Sequence, residues 1–556
     1  MSDQMQQLSF KELLLHSVKE YRKNKSLYYV PVMLPPENVA KDVWIGPAAG
    51  PHTQLAQNIL AAYAGGGRYF ELKTVQVLDG KDLGIIKPCI FVSDEAYNTE
   101  WSSELTAYKA LEEYVKAWIL LKLLVKEFSL GDVNGFVFNM SVGYNLEGIK
   151  SEKIDYFIES MKEAKDTSIF KQCIEDTLDL MDIFHVVTKE DIIGMDSCIS
   201  NTITLSTMHG CPAEEIEEIT HYLLAKKQVN TYLKCNPTLL GENEIKSILE
   251  KMGYGYIEFS SEIFHQDISL DRVVELISKL YQVGKENQRV FGIKLTNTFP
   301  VKIKNRELPG EGMYMSGPPL YLLSISVAAK LSQVIHKEIP ISYSGGADEK
   351  NISDILDTGI HPVTVSTLLL KRGGYKNLSI LNKVIMNREI KSQGHIDGDK
   401  LVSLWNKALK DSNYYKPKNK QLLKPSIDYT SYCAKCNSCI DVCPNRANFP
   451  LTYREEKMVL HKDGLCNECG NCTCFCIVGH VPYKEKFTLF DSIESFCDSD
   501  NSGAFKKAGH YILRVKDKIY EGKRDELNMV TGDILKVLDG IETMEHNNIT
   551  NLLVQH

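Results

Sequence analysis

The sequence predicts an α/β chain: a (β/α)8 barrel followed by a small domain built around cysteines. Three observations carry this. Short apolar runs of β character alternate with helical patterns from about residue 43 to residue 390. Several of those runs end in Gly, Asn, Ser or Lys, where a barrel presents its functional loops. Near the C-terminus two cysteine runs share one spacing, Cys433-x2-Cys436-x2-Cys439-x3-Cys443-Pro444 and Cys466-x2-Cys469-x2-Cys472-x3-Cys476.

Residues 1–42 form an N-terminal extension. Within it, 8–25 reads as an amphipathic helix with Leu8, Leu13, Leu14, Leu15, Val18 and Tyr21 on its apolar face, closing one end of the main domain. The barrel is assigned to 43–406. Its candidate strands are 43–45, 69–75, 135–142, 202–208, 231–235, 256–259, 290–298, 339–343 and 362–367. A closed barrel needs eight, and the 256–259 run is demoted to an insertion. Helical patterns at 53–64, 214–224, 320–331 and 352–356 separate many of the strands. Residues 407–428 make a lysine-rich, extended linker marked by Pro417 and Pro425. The cysteine domain takes 429–490 and a C-terminal extension 491–556, where 510–515 and 534–538 read as short strands.

At 556 residues there is room for a large core, and 43% hydrophobic residues suit a globular chain. A formal charge of −8 with no long basic stretch argues against nucleic acid as a partner. No apolar run approaches membrane-spanning length, so no membrane partner is expected. The first residues lack the basic and apolar regions of a signal peptide, and 15 cysteines then point to a reducing cytoplasm.

The cysteine spacing is that of thiolates around [4Fe–4S] clusters, and a tandem of two runs is the bacterial ferredoxin arrangement. In that arrangement the fourth cysteine of each run serves the other cluster. Cys433, Cys436, Cys439 and Cys476 are expected to hold one cluster, and Cys466, Cys469, Cys472 and Cys443 the other. A zinc ribbon would need one set of four ligands, whereas this block offers two evenly spaced sets. Ile477 stands where a proline would follow the second run, and Cys474 inside it is read as a small packing residue.

The strand ends point to a ligand. Ala49 and Gly50 lie in a small-residue loop after the first strand. Lys73 and Lys234 occupy otherwise apolar strands, where a buried ammonium needs an anionic partner. Ser316-Gly317, Gly345-Gly346 and Ser366-Thr367 follow in the order expected of a barrel phosphate site. No Gly-x-Gly-x-x-Gly follows a strand, so a nicotinamide site is not expected and electrons would come from an external donor.

The strings GPAAGP, ELKTVQ, SVGYNLEGI, TLSTMHGCP, YLKCNP, LTNT, YMSGPPLYLL and SYSGGA resemble the successive loops of the dihydroorotate and dihydropyrimidine dehydrogenases. The two cysteine runs resemble the C-terminal ferredoxin domain of the latter. A closer resemblance, through GPAAGPHTQLAQN, NTEWS, FNMSVGYNLEGI and LSTMHGCP, is to the YgfK-like bacterial family labelled as selenate reductase subunits. Its members tend to sit in anaerobic purine-breakdown gene sets.

The resemblance implies a barrel of dihydroorotate-dehydrogenase type that binds FMN. Lys73 and Lys234 would contact the FMN ring, beside Ala49 and Gly50. Ser316, Gly317, Gly345, Gly346, Ser366 and Thr367 would cradle its phosphate. Asn145, Asn236, Asn297 and Thr298 would read a planar cyclic amide, with Thr204 where the dehydrogenases carry an Asn. Cys211 is expected to be the proton donor, with His209 and Ser206 as rivals; its place at a helix start should lower the thiol pKa. The implied function is an iron–sulfur flavoprotein passing electrons to an oxidised purine such as urate or xanthine. Its donor would be a ferredoxin or an NAD(P)H-oxidising flavoprotein subunit, within an oligomer or hetero-complex. The alternatives are a pyrimidine reductase, or an electron-transfer subunit of a selenate reductase or other molybdoenzyme.

Overall fold

The computed structural model describes residues 5–34, 45–99, 102–207, 209–387, 395–416, 433–530 and 532–546. Its centre is an eight-stranded parallel sheet rolled into a barrel. In chain order the strands are β1 (Ile45–Pro47), β2 (Tyr69–Glu71), β3 (Val137–Gly143), β4 (Thr202–Ser206), β5 (Asn230–Cys235), β6 (Phe291–Leu295), β7 (Ile341–Tyr343) and β8 (Val363–Val365). Each strand from β3 to β8 pairs with its predecessor, and β8 pairs with β1. The Arg68 amide donates to the Ile45 carbonyl at 2.8 Å and draws β1 and β2 together. These are the eight runs read from the sequence; 256–259 forms no strand, as expected of an insertion.

Helices wrap the barrel because their apolar faces repeat at helical spacing. Phe10–Asn24 opens with a capping box between Ser9 and Glu12 and buries Phe10, Leu13, Leu14 and Val18. Residues just beyond that helix also reach the cysteine domain. The Tyr28 carbonyl accepts from Arg446 Nε at 3.0 Å, and the Gln6 amide donates to the Gly464 carbonyl at 2.6 Å. The extension therefore ties the two parts of the chain together as well as covering the barrel.

Two loops build a second layer above the strand ends. Ile90–Val92 and Ala96–Asn98 follow β2, and Phe299–Lys302 and Gly312–Ser316 follow β6. Together they form a four-stranded antiparallel sheet.

The C-terminal part departs from expectation in three places. One six-stranded sheet runs from Asn448–Tyr453 to Lys518–Lys523, so the boundary expected at residues 490 and 491 falls inside it. His510–Val515 is a strand as expected, but the 534–538 run lies in the helix Gly532–His546. Ile534, Leu535, Val537, Leu538 and Ile541 recur at helical, not alternating, spacing, and all pack into the sheet's core. The start of the expected extended linker is folded: Lys407 pairs with Asp354 at 2.9 Å and Ser412–Tyr414 forms a short 3-10 turn. The rest of that linker, with Lys418, Lys420, Lys424 and both of its prolines, lies outside the described residues. No described helix is long and apolar enough to cross a membrane.

Candidate functional site

The C-terminal ends of the barrel strands surround a cavity of about 550 Å³. It gathers most of the residues singled out by sequence. Ala49, Gly50, Lys73 and Lys234 line it, as do Ser316, Gly317 and Gly346. Ser366, Thr367, Ser206, His209, Asn297 and Thr298 complete the set. The antiparallel sheet adds Ile90, Tyr97, Asn98 and Tyr314, and the folded start of the linker adds Tyr414 and Tyr415. None of those six was read from the sequence as a site residue, because their positions depend on how distant loops pack.

One end of the cavity is electropositive. Lys234 on β5 and Lys294 on β6 stand side by side in register, with Lys73 nearby. Lys294 is fully buried and ion-paired to Glu71, and donates to Ser342 Oγ at 3.1 Å and Thr364 Oγ1 at 2.9 Å. Lys234 has no such partner among the described residues. Burial pushes its ammonium down to about 8; Glu71 opposes this, while Lys294 and Lys73 add to it. Sequence reading passed over Lys294 although it too sits in an apolar strand.

The other end is a backbone recess. Gly317 (φ +84°) caps the start of the helix Pro318–Ser332, and Gly346 (φ +73°) packs directly against it. A Cβ on Gly346 would lie 2.5 Å from the Gly317 carbonyl oxygen. Ser316 and Thr367 hydroxyls meet at 2.9 Å. Gly345 does not line the cavity; it packs against Ser324, and its carbonyl accepts from Tyr343 at 2.8 Å. Gly346→Ala combines left-handed strain with that clash and is expected to lower stability by about 1–3 kcal/mol. An unchanged thermal melting temperature would count against this reading of the recess.

Four expected site residues stand elsewhere. The Asn145 side chain caps a helical turn, accepting from the Gly148 amide at 2.8 Å. Thr204 is buried in the barrel and accepts from Asn139 Nδ2 at 2.8 Å. Asn236 lies behind the cavity wall, with its Oδ1 accepting from Asn297 Nδ2 at 2.7 Å. Cys211 faces a separate small pocket, and its thiol donates to Glu215 at 3.8 Å. Burial, then the charges of Glu215 and Asp267, push that thiol up to about 12. The expected lowering by the helix start fails because burial, and after it the negative charge of Glu215 one turn along, outweighs it.

Cysteines of the two runs meet in space. Cys443 from the first run joins Cys466, Cys469 and Cys472 from the second around one small cavity. Burial first, then the neighbouring thiols of Cys443, Cys469 and Cys472, raise the Cys466 thiol well above its ordinary value. Backbone amides point at the sulfurs: Ala447 to Cys443 at 3.2 Å, Glu468 to Cys466 at 3.2 Å and Lys435 to Cys433 at 3.4 Å. Cys433 and Cys436 neighbour Cys439. Cys474 accepts from the Val92 amide at 3.5 Å and so docks on the antiparallel sheet. Among the described residues no group of three or more His, Cys, Asp or Glu is spaced to hold a single metal ion.

This four-cysteine group lies against the barrel. The Cys469 carbonyl accepts from the amides of Cys89 (3.1 Å) and Ile90 (2.8 Å), and Asn471 Nδ2 donates to the Leu370 carbonyl at 3.0 Å. Ile90 and Leu370 also line the cavity.

Fold and site together define a (β/α)8-barrel protein with a cavity at its strand ends and a cysteine-rich domain beside it. Residues 24–416 match the family described as "Oxidoreductase YgfK, N-terminal TIM-barrel domain", and the chain belongs to that family of oxidoreductases. It is 41% identical over 481 residues to YgfK of Escherichia coli strain K12 and equally to YgfK of Escherichia coli O157:H7. Those alignments take in 82% of this chain and 46% of each relative, so the chain spans about half the length of the curated relatives it matches. Among solved structures it is similar to a crystal structure of DHODH from Eimeria tenella in complex with ferulenol. That match covers 66% of this chain and 81% of the other, at 15% identity and a TM-score of 0.36.

Proposed function

We propose that this chain is an iron–sulfur flavoprotein reductase. FMN would occupy the barrel cavity and two [4Fe–4S] clusters the cysteine domain, with a planar cyclic amide or ureide, an oxidised purine such as urate or xanthine, as substrate. When bound, flavin supplies two-electron exchange with a substrate double bond and the clusters supply single electrons.

The cavity residues fit the flavin. Lys234 is a half-buried cation without a partner among the described residues, and buried Lys73 lies beside it, which suits an anionic ring system. Gly317 and Gly346 line the cavity where the helix Pro318–Ser332 starts, which suits a phosphate. Asn297 and Asn98 offer amide groups that both donate and accept, as a ureide edge requires. The four-thiol cage fits a cluster in its donor chemistry, and amides aimed at sulfur are a means of setting its potential.

The observation that carries the reading is Ile90. It lines the cavity and also gives its amide to Cys469, so one residue separates a flavin-type cavity from the inner cysteine cage. Cys443, Cys466, Cys469 and Cys472 would then hold the cluster that serves the flavin. The cluster of Cys433, Cys436, Cys439 and Cys476 would face an external donor protein within a larger complex.

Anaerobic purification tests this. The chain is expected to carry about one FMN, about eight iron and about eight sulfide. The chemically reduced protein is expected to be re-oxidised by purines faster than by pyrimidines or selenate. Zinc without flavin would eliminate the proposal, and re-oxidation by selenate alone would eliminate the purine assignment.

A further inference from the structure

Behind the cavity wall, polar side chains converge on Asp267. One carboxylate oxygen lies 2.7 Å from His209 Nδ1 and accepts from Thr238 Oγ1 at 2.6 Å and Asn236 Nδ2 at 3.1 Å. The other accepts from the Gly210 amide at 2.7 Å. The Asp267 side chain is 3% exposed and that of His209 is 20% exposed. Burial alone would raise the Asp267 carboxyl, but the hydrogen bonds from His209, Thr238 and Gly210 outweigh it and hold the group below its ordinary value. An ionised carboxylate beside Nδ1 fixes the proton on that nitrogen, which leaves Nε2 as the working atom of a ring that lines the cavity.

The rivals are occupied. Ser206 Oγ donates to Asn297 at 3.2 Å, and the Cys211 thiol turns to Glu215. Charged residues that line the cavity with His209 are Lys73, Lys234, Lys350 and Lys371 with Asp94, Asp348 and Glu349, and Glu215 lies on the following helix against Cys211.

We infer that His209 is the catalytic proton carrier of this site and that Asp267 is its positioning residue. The inference rests on the reductase reading above. His209 would give its Nε2 proton to one atom of the substrate double bond, and a bound reduced flavin would supply the hydride (two electrons and a hydrogen) that the neighbouring atom needs. The π bond is consumed, two single bonds to hydrogen form, and imidazolium becomes neutral imidazole. Solvent then restores the proton.

Two measurements on the full-length chain test the pair. The first needs no turnover: modification of His209 by diethyl pyrocarbonate, followed by peptide mass spectrometry across pH. The reagent attacks only neutral imidazole. With Asp267 in place the Nδ1 proton is held and the Nε2 lone pair faces the cavity, so His209 in Asp267→Asn is expected to react a few-fold more slowly at pH 8, with Asp267→Glu restoring the faster rate. Equal rates in the parent and Asp267→Asn would overturn the positioning role. The second is re-oxidation of reduced flavin by substrate. His209→Gln is expected to keep bound FMN but slow this step by about 10²–10⁴-fold, and Cys211→Ala to leave it within a few-fold of the parent. A parental rate in His209→Gln would overturn the catalytic role even if the aspartate variants failed to fold. Absence of FMN from the parent would sink the flavin reading alone, because the modification assay still reports on the His209–Asp267 pair.

Discussion

Cys443→Ala is expected to lower the iron content from about eight to about four per chain, and to stop electrons from reaching the flavin. Cys443 belongs to the first run by sequence, but in space it completes the cage of Cys466, Cys469 and Cys472. That cage abuts Ile90 and Leu370 on the cavity wall, so its loss should cut the inner link of the chain of carriers. Cys433→Ala removes a ligand of the outer set and should leave the inner cluster's electron paramagnetic resonance signal in place. Iron analysis and that spectrum, taken on both variants, check the crossed assignment. Retention of the inner signal in Cys443→Ala would refute it.

Lys234→Met is expected to weaken FMN binding by about 10- to 100-fold, the worth of a charge-assisted contact in a buried site. It should also stabilise the flavin-free protein. The Lys234 ammonium lies beside Lys294 in the sheet, and burial depresses it from 10.5 to about 8. The folded pKa is below the unfolded one, so the penalty for keeping the charge is fully present below pH 8. It fades between pH 8 and pH 10.5. At neutral pH this amounts to something on the order of 1–3 kcal/mol. The flavin-free Lys234→Met chain should therefore melt at a higher temperature than the flavin-free parent at pH 7, with a smaller difference near pH 10. FMN affinity of the parent should fall as pH rises through 8. A variant that melts lower and binds FMN as well as the parent would remove Lys234 from the site.

The barrel was legible because its strands are short β-rich runs between helices, and a buried parallel sheet needs little else. The cavity was legible where a strand end carries an unusual residue for a physical reason, as at Lys73, Lys234, Gly317 and Gly346. Asp267 was not. It lies in a polar connection, Gln266–Asp267–Ile268, with no periodicity, and only the fold brings it beside His209. Cys211 was misread because its burial, which only the fold reveals, and Glu215 one turn later both oppose the helix start. The helix Gly532–His546 was misread because the short run 534–538 fits both periods, and Ile541, which decides between them, lies beyond that run.

The double acceptance by the Cys469 carbonyl makes the antiparallel sheet a mechanical coupling between cluster and cavity. The amides of Cys89 and Ile90 are satisfied only while the inner cage keeps its shape. Loss of that cage frees two buried donors at the edge of a short strand whose other residues wall the cavity. The opening free energy of this strand then becomes a gauge of cluster occupancy. Hydrogen exchange at Cys89 and Ile90 should quicken on cluster removal, while the amides of β5 and β6 deep in the barrel stay protected. A chain without its inner cluster would thus hold its flavin behind a loosened wall, and cofactor loading of the two parts would proceed as one cooperative event.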